Sequence, residues 1–194
     1  MRTWLDVEEC VGYLLREQYT HPVLLFLQSS SAGAIHLWNI INRKPYLYKG
    51  AIFRAPFLDV LTSLMDPSQP LSSTDYEEFG NPLTNSKIYR QLASISPYEN
   101  IHPREYPAIH ITAGTNDYRT PVGQIAKFAS RFRDRAVNNN KLEDTFERLM
   151  VDISDTGSHL GEASVKEENY RACDVFGYMD YVLERSKDCR ATGL

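Results

Sequence analysis

The run Val23-Leu24-Leu25-Phe26-Leu27 passes directly into Gln28-Ser29-Ser30-Ser31-Ala32-Gly33-Ala34, and then into a segment with Ile35, Leu37, Trp38, Ile40 and Ile41 at its apolar positions. A short apolar run without helical period predicts a buried strand, over 22–28. The small residues after it predict a sharp turn, and the segment beyond predicts a helix over 32–42. A strand this apolar belongs inside a parallel sheet, paired on both sides and covered by helices. The turn between strand and helix projects one side chain, that of Ser31, beside the free backbone N–H groups of a helix N-terminus.

The rest of the chain repeats the alternation. Helical spacing of Val7, Cys10, Val11, Leu14 and Leu15 predicts a helix over 5–16. Further strands are predicted at 51–54, where Ala55-Pro56 ends the run, and at 108–112 and 149–153. Helices are predicted at 87–95, at 121–133 with proline in the first turn, and at 163–185. The stretch 75–82 reads as an acidic turn, and Asn138-Asn139-Asn140-Lys141 as a loop by composition. Four strands separated by helices imply an α/β fold with a parallel, doubly wound sheet. The 194 residues, 42% of them hydrophobic, suffice for one core and one domain.

Composition narrows the function. The net charge of −4 comes without a basic patch, which argues against nucleic acid. Cys10, Cys173 and Cys189 are scattered without metal-ligand spacing and read as free thiols in a reducing, cytoplasmic compartment. No leader or membrane-spanning run is evident. No metal or cofactor is implied.

Active sites of parallel sheets lie beyond the carboxyl ends of the strands. Ser31 follows the first strand; Asp117, in Gly114-Thr115-Asn116-Asp117-Tyr118-Arg119, the third; His159, in Gly157-Ser158-His159-Leu160-Gly161, the fourth. A serine hydroxyl becomes a nucleophile when an imidazole takes its proton and a carboxylate holds that imidazole. The Ala32 N–H would serve the oxyanion.

The chain then resembles a known family. Phe53-Arg54-Ala55-Pro56-Phe57-Leu58-Asp59-Val60-Leu61, with Pro70-Leu71 through Asp75-Tyr76-Glu77-Glu78-Phe79-Gly80-Asn81-Pro82, is similar to a signature of the prolyl oligopeptidase family, oligopeptidase B branch. The resemblance runs from about Leu5 to Leu183. It implies the C-terminal portion of an α/β-hydrolase peptidase domain, about four parallel strands flanked by helices. It also implies a serine-type oligopeptidase that acts on short peptides through an acyl-enzyme. Ser31 matches the nucleophile, Asp117 the orienting acid, His159 the base, and Arg119 an arginine that holds substrate. Asp75 and Glu77 match two carboxylates of the primary specificity pocket, implying cleavage after arginine or lysine.

The sequence also departs from the family pattern. Ser29 and Ala34 stand where the elbow usually has glycine, and Leu160 puts a bulky side chain beside the base, where it is expected to narrow the site. The family's β-propeller, the first strands of its sheet and its tyrosine oxyanion donor have no counterpart, so the strand over 22–28 is expected to have one open edge and the remainder of the same protein is an expected partner. The alternative is a catalytically impaired relative acting as a non-enzymatic interaction module. A weaker one keeps the enzyme but makes its substrate an ester.

Overall fold

The computed structural model describes residues 3–69, 72–136 and 148–191, with side chains to residue 184. Four parallel strands stand in the order β1 (Phe26–Ser30), β2 (Gly50–Arg54), β3 (Ala108–Gly114) and β4 (Leu149–Ser154). The helices are α1 (Thr3–Arg16), α2 (Gly33–Arg43), α3 (Val60–Met65), α4 (Ser72–Phe79), α5 (Ser86–Ile95), α6 (Val122–Arg135) and α7 (Val165–Ala191). The loop expected at 138–141 lies outside the described residues.

Alternation along the strands divides the side chains between two faces. Ala51, Phe53, Ile109, Ile111, Ala113 and Leu149 face α1, α2 and α6. There Trp38, Phe128 and Phe132 form an aromatic cluster, with Trp38 edge-on to Phe128 at 4.9 Å between centroids. Ile52 and Ala108 face α7 and pack with Tyr178 and Val182. A third cluster joins α3, α4 and α5 through Leu61, Leu64, Leu92 and Phe79.

Three expectations are corrected. Residues 22–24 form one turn of 3-10 helix, because Pro22 fixes its own φ and His21 accepts a hydrogen bond from the Val23 N–H. The strand therefore starts at Phe26. It pairs only with β2 among the described residues, which leaves the expected open edge, but it is partly buried where a buried strand was expected. The acidic stretch is helix α4 as far as Phe79, followed by Gly80 at φ 82°. Tyr76 and Phe79, three residues apart, seat it on the core.

Register sets the site. Ser30, Arg54, Thr112 and Asp152 stand side by side across the sheet, so the segments that follow all four strands meet at one end. Gly114 closes the approach of two of them: a Cβ there would lie 2.2 Å from the Gly157 backbone, and the Asn116 N–H donates to Gly157 O at 3.0 Å.

Candidate active site

At the end of β1 the chain turns sharply at Ser31, whose φ is 50°. That is the left-handed region, unfavourable for a residue with a Cβ and held here by the surrounding backbone. The Ser31 N–H donates to Arg54 O at 3.0 Å, and Ser31 O accepts from the N–H groups of Ala34 and Phe57 at 3.1 and 3.0 Å. The hydroxyl is thereby raised above the strand ends. The Ala32 N–H, at the start of α2, has no acceptor among the described residues and is available to a ligand.

The structure brings Ser31, His159 and Asp117 together. His159 Nε2 lies 2.9 Å from Ser31 Oγ, and His159 Nδ1 lies 2.8 Å from Asp117 Oδ2. Ionised Asp117 can only accept, so Nδ1 carries the proton and Nε2 accepts from the serine hydroxyl. The Asp117 side chain is 0% exposed. Burial alone would push its carboxyl up. Hydrogen bonds from the Thr120 N–H and hydroxyl and from His159 outweigh it and hold the carboxyl below the ordinary range.

The cleft around these atoms measures about 690 Å³ and is lined by Ser31, Arg54, Arg119, His159, Leu160 and Glu168 among others. Behind His159, Glu162 accepts from Arg171 Nε at 2.6 Å and from Ser154 Oγ at 2.5 Å, while an Arg171 N–H donates to Ala113 O at 3.1 Å. Glu168 pairs with Arg54 and accepts from the Glu162 N–H; these contacts lower its carboxyl. The histidine loop is thus tied to β2, β3, β4 and α7.

Residues 2–181 match the prolyl oligopeptidase family. The chain belongs to that family. The prolyl endopeptidase-like proteins of Xenopus laevis and Homo sapiens are 31% and 35% identical, over 96% and 84% of this chain and 27% and 23% of theirs. Oligopeptidase B of Trypanosoma brucei with covalently bound antipain superposes with a TM-score of 0.75. It is 26% identical, over 97% of this chain and 24% of that one. This prolyl oligopeptidase-family chain therefore spans about a quarter of the length of the relatives it matches. The superposition and the four helix-flanked parallel strands agree with the α/β-hydrolase peptidase fold that the resemblance implied.

The remaining family positions are spread over two sites. Arg119 lines both the cleft and a small adjoining cavity with Asp75, Phe57 and Tyr118. Asp75 reaches that cavity, but exposed Glu77 does not. Two residues apart on α4 they are turned by roughly 200°, so they do not share one pocket in this structure. Burial, then Glu78, pushes the Asp75 carboxyl up, and Arg119 offsets part of this. Leu160 is 94% exposed at the cleft rim, so the expected narrowing does not occur. Ser29 fits beneath the elbow, 3.5 Å from where a Cβ on Gly33 would sit. No helix among the described residues is long and apolar enough to cross a membrane, and Cys10 and Cys173 are free and exposed.

Thr120, Glu162 and Arg171 join the site without having stood out in the sequence. Thr120 carries a local signal, an aspartate followed three residues later by a hydroxyl that can return to it. Glu162 and Arg171 carry none, because their contact depends on how the loop folds onto α7.

Proposed function

We propose that this chain forms the nucleophile-bearing part of a serine-type oligopeptidase that cleaves short peptides through an acyl-enzyme, after arginine or lysine. The observation that carries the reading is the hydrogen-bonded series Ser31–His159–Asp117, at 2.9 and 2.8 Å. Ser31 Oγ attacks the scissile carbonyl as His159 Nε2 takes its proton, and Asp117 stabilises the imidazolium. The Ala32 N–H donates to the developing oxyanion. The imidazolium then gives its proton to the leaving amine, and water, deprotonated by the same nitrogen, releases the acid. The covalently bound antipain of the similar Trypanosoma brucei oligopeptidase B supports a covalent route. Asp75 supports the basic preference. It is half-buried, makes no ion pair among the described residues, and would be relieved by a substrate guanidinium.

Labelling of the full-length protein by a fluorophosphonate probe tests the nucleophile. Labelling is expected, and it should vanish in Ser31→Ala. An unlabelled wild-type protein would turn the reading toward a non-enzymatic interaction module. Fluorogenic peptides ending in Arg, Lys, Pro or Ala test the preference. Asp75→Asn should lower kcat/KM for the arginine peptide about tenfold, as expected for a lost charge-assisted hydrogen bond. An undiminished arginine preference would remove Asp75 from the pocket.

A further inference from the structure

The geometry points to Thr120 as a positioning residue of this site: its hydroxyl, set against the Asp117 oxygen that holds His159, governs how tightly that carboxylate grips the imidazolium. The inference rests on the proposed peptidase chemistry and adds a residue to it.

Thr120 Oγ1 lies 2.7 Å from Asp117 Oδ2, 3.4 Å from His159 Nδ1 and 3.1 Å from Ala55 O. The hydroxyl has one proton and two acceptors within reach. The shorter contact is to a carboxylate, and a charge-assisted hydrogen bond outcompetes a neutral one. The Thr120 N–H also donates to Asp117 Oδ1 at 2.9 Å, alongside the Arg119 N–H at 2.8 Å. One residue thus grips both oxygens of the carboxylate and fixes its plane.

Oδ2 receives two donors at once, the Thr120 hydroxyl and the His159 Nδ1–H. Each draws charge from the oxygen, so the threonine weakens the pull that Asp117 exerts on the imidazolium. With four donors on one fully buried carboxylate, the proton stays on the histidine, and the charge that faces it is shared with the threonine. Ala55, at φ 41° and with its N–H held by Thr112 O at 2.8 Å, sets its carbonyl 3.1 Å from the hydroxyl as the competing acceptor, and the carboxylate takes the proton. The other charged groups around the cleft are Arg54, Arg119, Glu162, Glu168 and Arg171, and none is altered by removing a neutral hydroxyl.

The test compares wild type, Thr120→Val and Thr120→Ser. Probe labelling of Ser31 should show an acid limb in its pH profile. In Thr120→Val the limb should move upward by about half a pH unit, slowing labelling on it about threefold, and Thr120→Ser should return it. A limb unmoved in the valine variant, or unrestored by serine, overturns the inference. Proton NMR supplies a readout that needs no turnover. The His159 Nδ1–H resonance should move downfield in Thr120→Val as its hydrogen bond to Oδ2 strengthens, and an unshifted resonance overturns the inference. Should the valine variant fail to fold, the wild-type spectrum alone decides: a slowly exchanging Thr120 hydroxyl proton close to His159 Nδ1–H is required, and its absence overturns the assignment. Should no protein label, the peptidase reading falls while the NMR result still judges the Asp117–Thr120 coupling.

Discussion

The two faces of the sheet are built of different materials. Beneath α1, α2 and α6 the contacts are dry and aromatic, with Trp38, Phe128 and Phe132 fully enclosed. Beneath α7 the same strands present His110 and Thr112, and the helix is pinned by Arg171, Tyr178 and Glu168. The turn at Ser31 belongs to the first face, since α2 emerges directly from it. The histidine loop belongs to the second, strung between β4 and α7. Apolar packing seats the helix behind the serine and backbone hydrogen bonds hold its turn, whereas side-chain ion pairs and hydrogen bonds aim the histidine, whose geometry matters to within about half an ångström.

Removing Trp38 gives the largest expected break in this comparison. Trp38→Ala should cost about 3–5 kcal/mol in urea unfolding, through lost burial and the cavity left behind. The folded fraction should keep the wild-type pH profile of probe labelling. A changed profile would mean that the dry face also aims His159. Arg171→Met should cost less stability, about 1–3 kcal/mol, because it leaves the Glu162 carboxylate, 3% exposed, with Ser154 as its remaining side-chain donor. Labelling by Ser31 should nevertheless fall at least tenfold. An unchanged labelling rate would show that the loop holds its shape without the clamp.

The smallest effect concerns His110, whose two ring nitrogens have no partner among the described residues. Burial lowers its proton affinity; Asp152 and Asp174 oppose this and Arg171 adds to it. The folded state therefore binds the proton less readily than the unfolded chain. The corresponding stability is full above pH 6.5, the ordinary histidine value, and is lost as pH falls through the depressed folded value. The slope cannot exceed about 1.4 kcal/mol per pH unit for one proton. His110→Phe should remove that share of the acid sensitivity in unfolding measured from pH 7.5 to 5. Identical slopes in the two proteins would relieve His110 of the role.

How far these features were legible in the sequence follows from the range of the interactions behind them. The strands β2, β3 and β4 begin within a residue of where their apolar runs begin; β2 and β3 are buried on both faces, whereas β4, an edge strand among the described residues, shows through its short run Leu149-Met150-Val151 alone. The start of β1 is hidden because Pro22-Val23-Leu24 is nearly as apolar as the strand, and only the cap from His21 and the fixed φ of Pro22 make it a turn. Helix α4 resembles a turn in the sequence because its acidic residues hide the pair Tyr76 and Phe79. Chain order and strand ends sufficed to nominate Ser31, Asp117 and His159. The polar clamp around them was illegible, since Arg54, Glu162, Glu168 and Arg171 meet only through the folded backbone.

The close approach at Gly114 has a consequence for inheritance. Every missense change in that codon adds a Cβ, and the backbone of Gly157 leaves it no room. At Gly157 itself the added atom would meet the Glu162 carboxylate and the Ser154 Cβ, each at 3.1 Å, a tight fit rather than an overlap with backbone. A saturation library should therefore be empty at position 114 while tolerating a few small residues at 157. A natural copy of this chain with any other residue at 114 would mark a lineage released from selection on the alignment of Asp117 with His159.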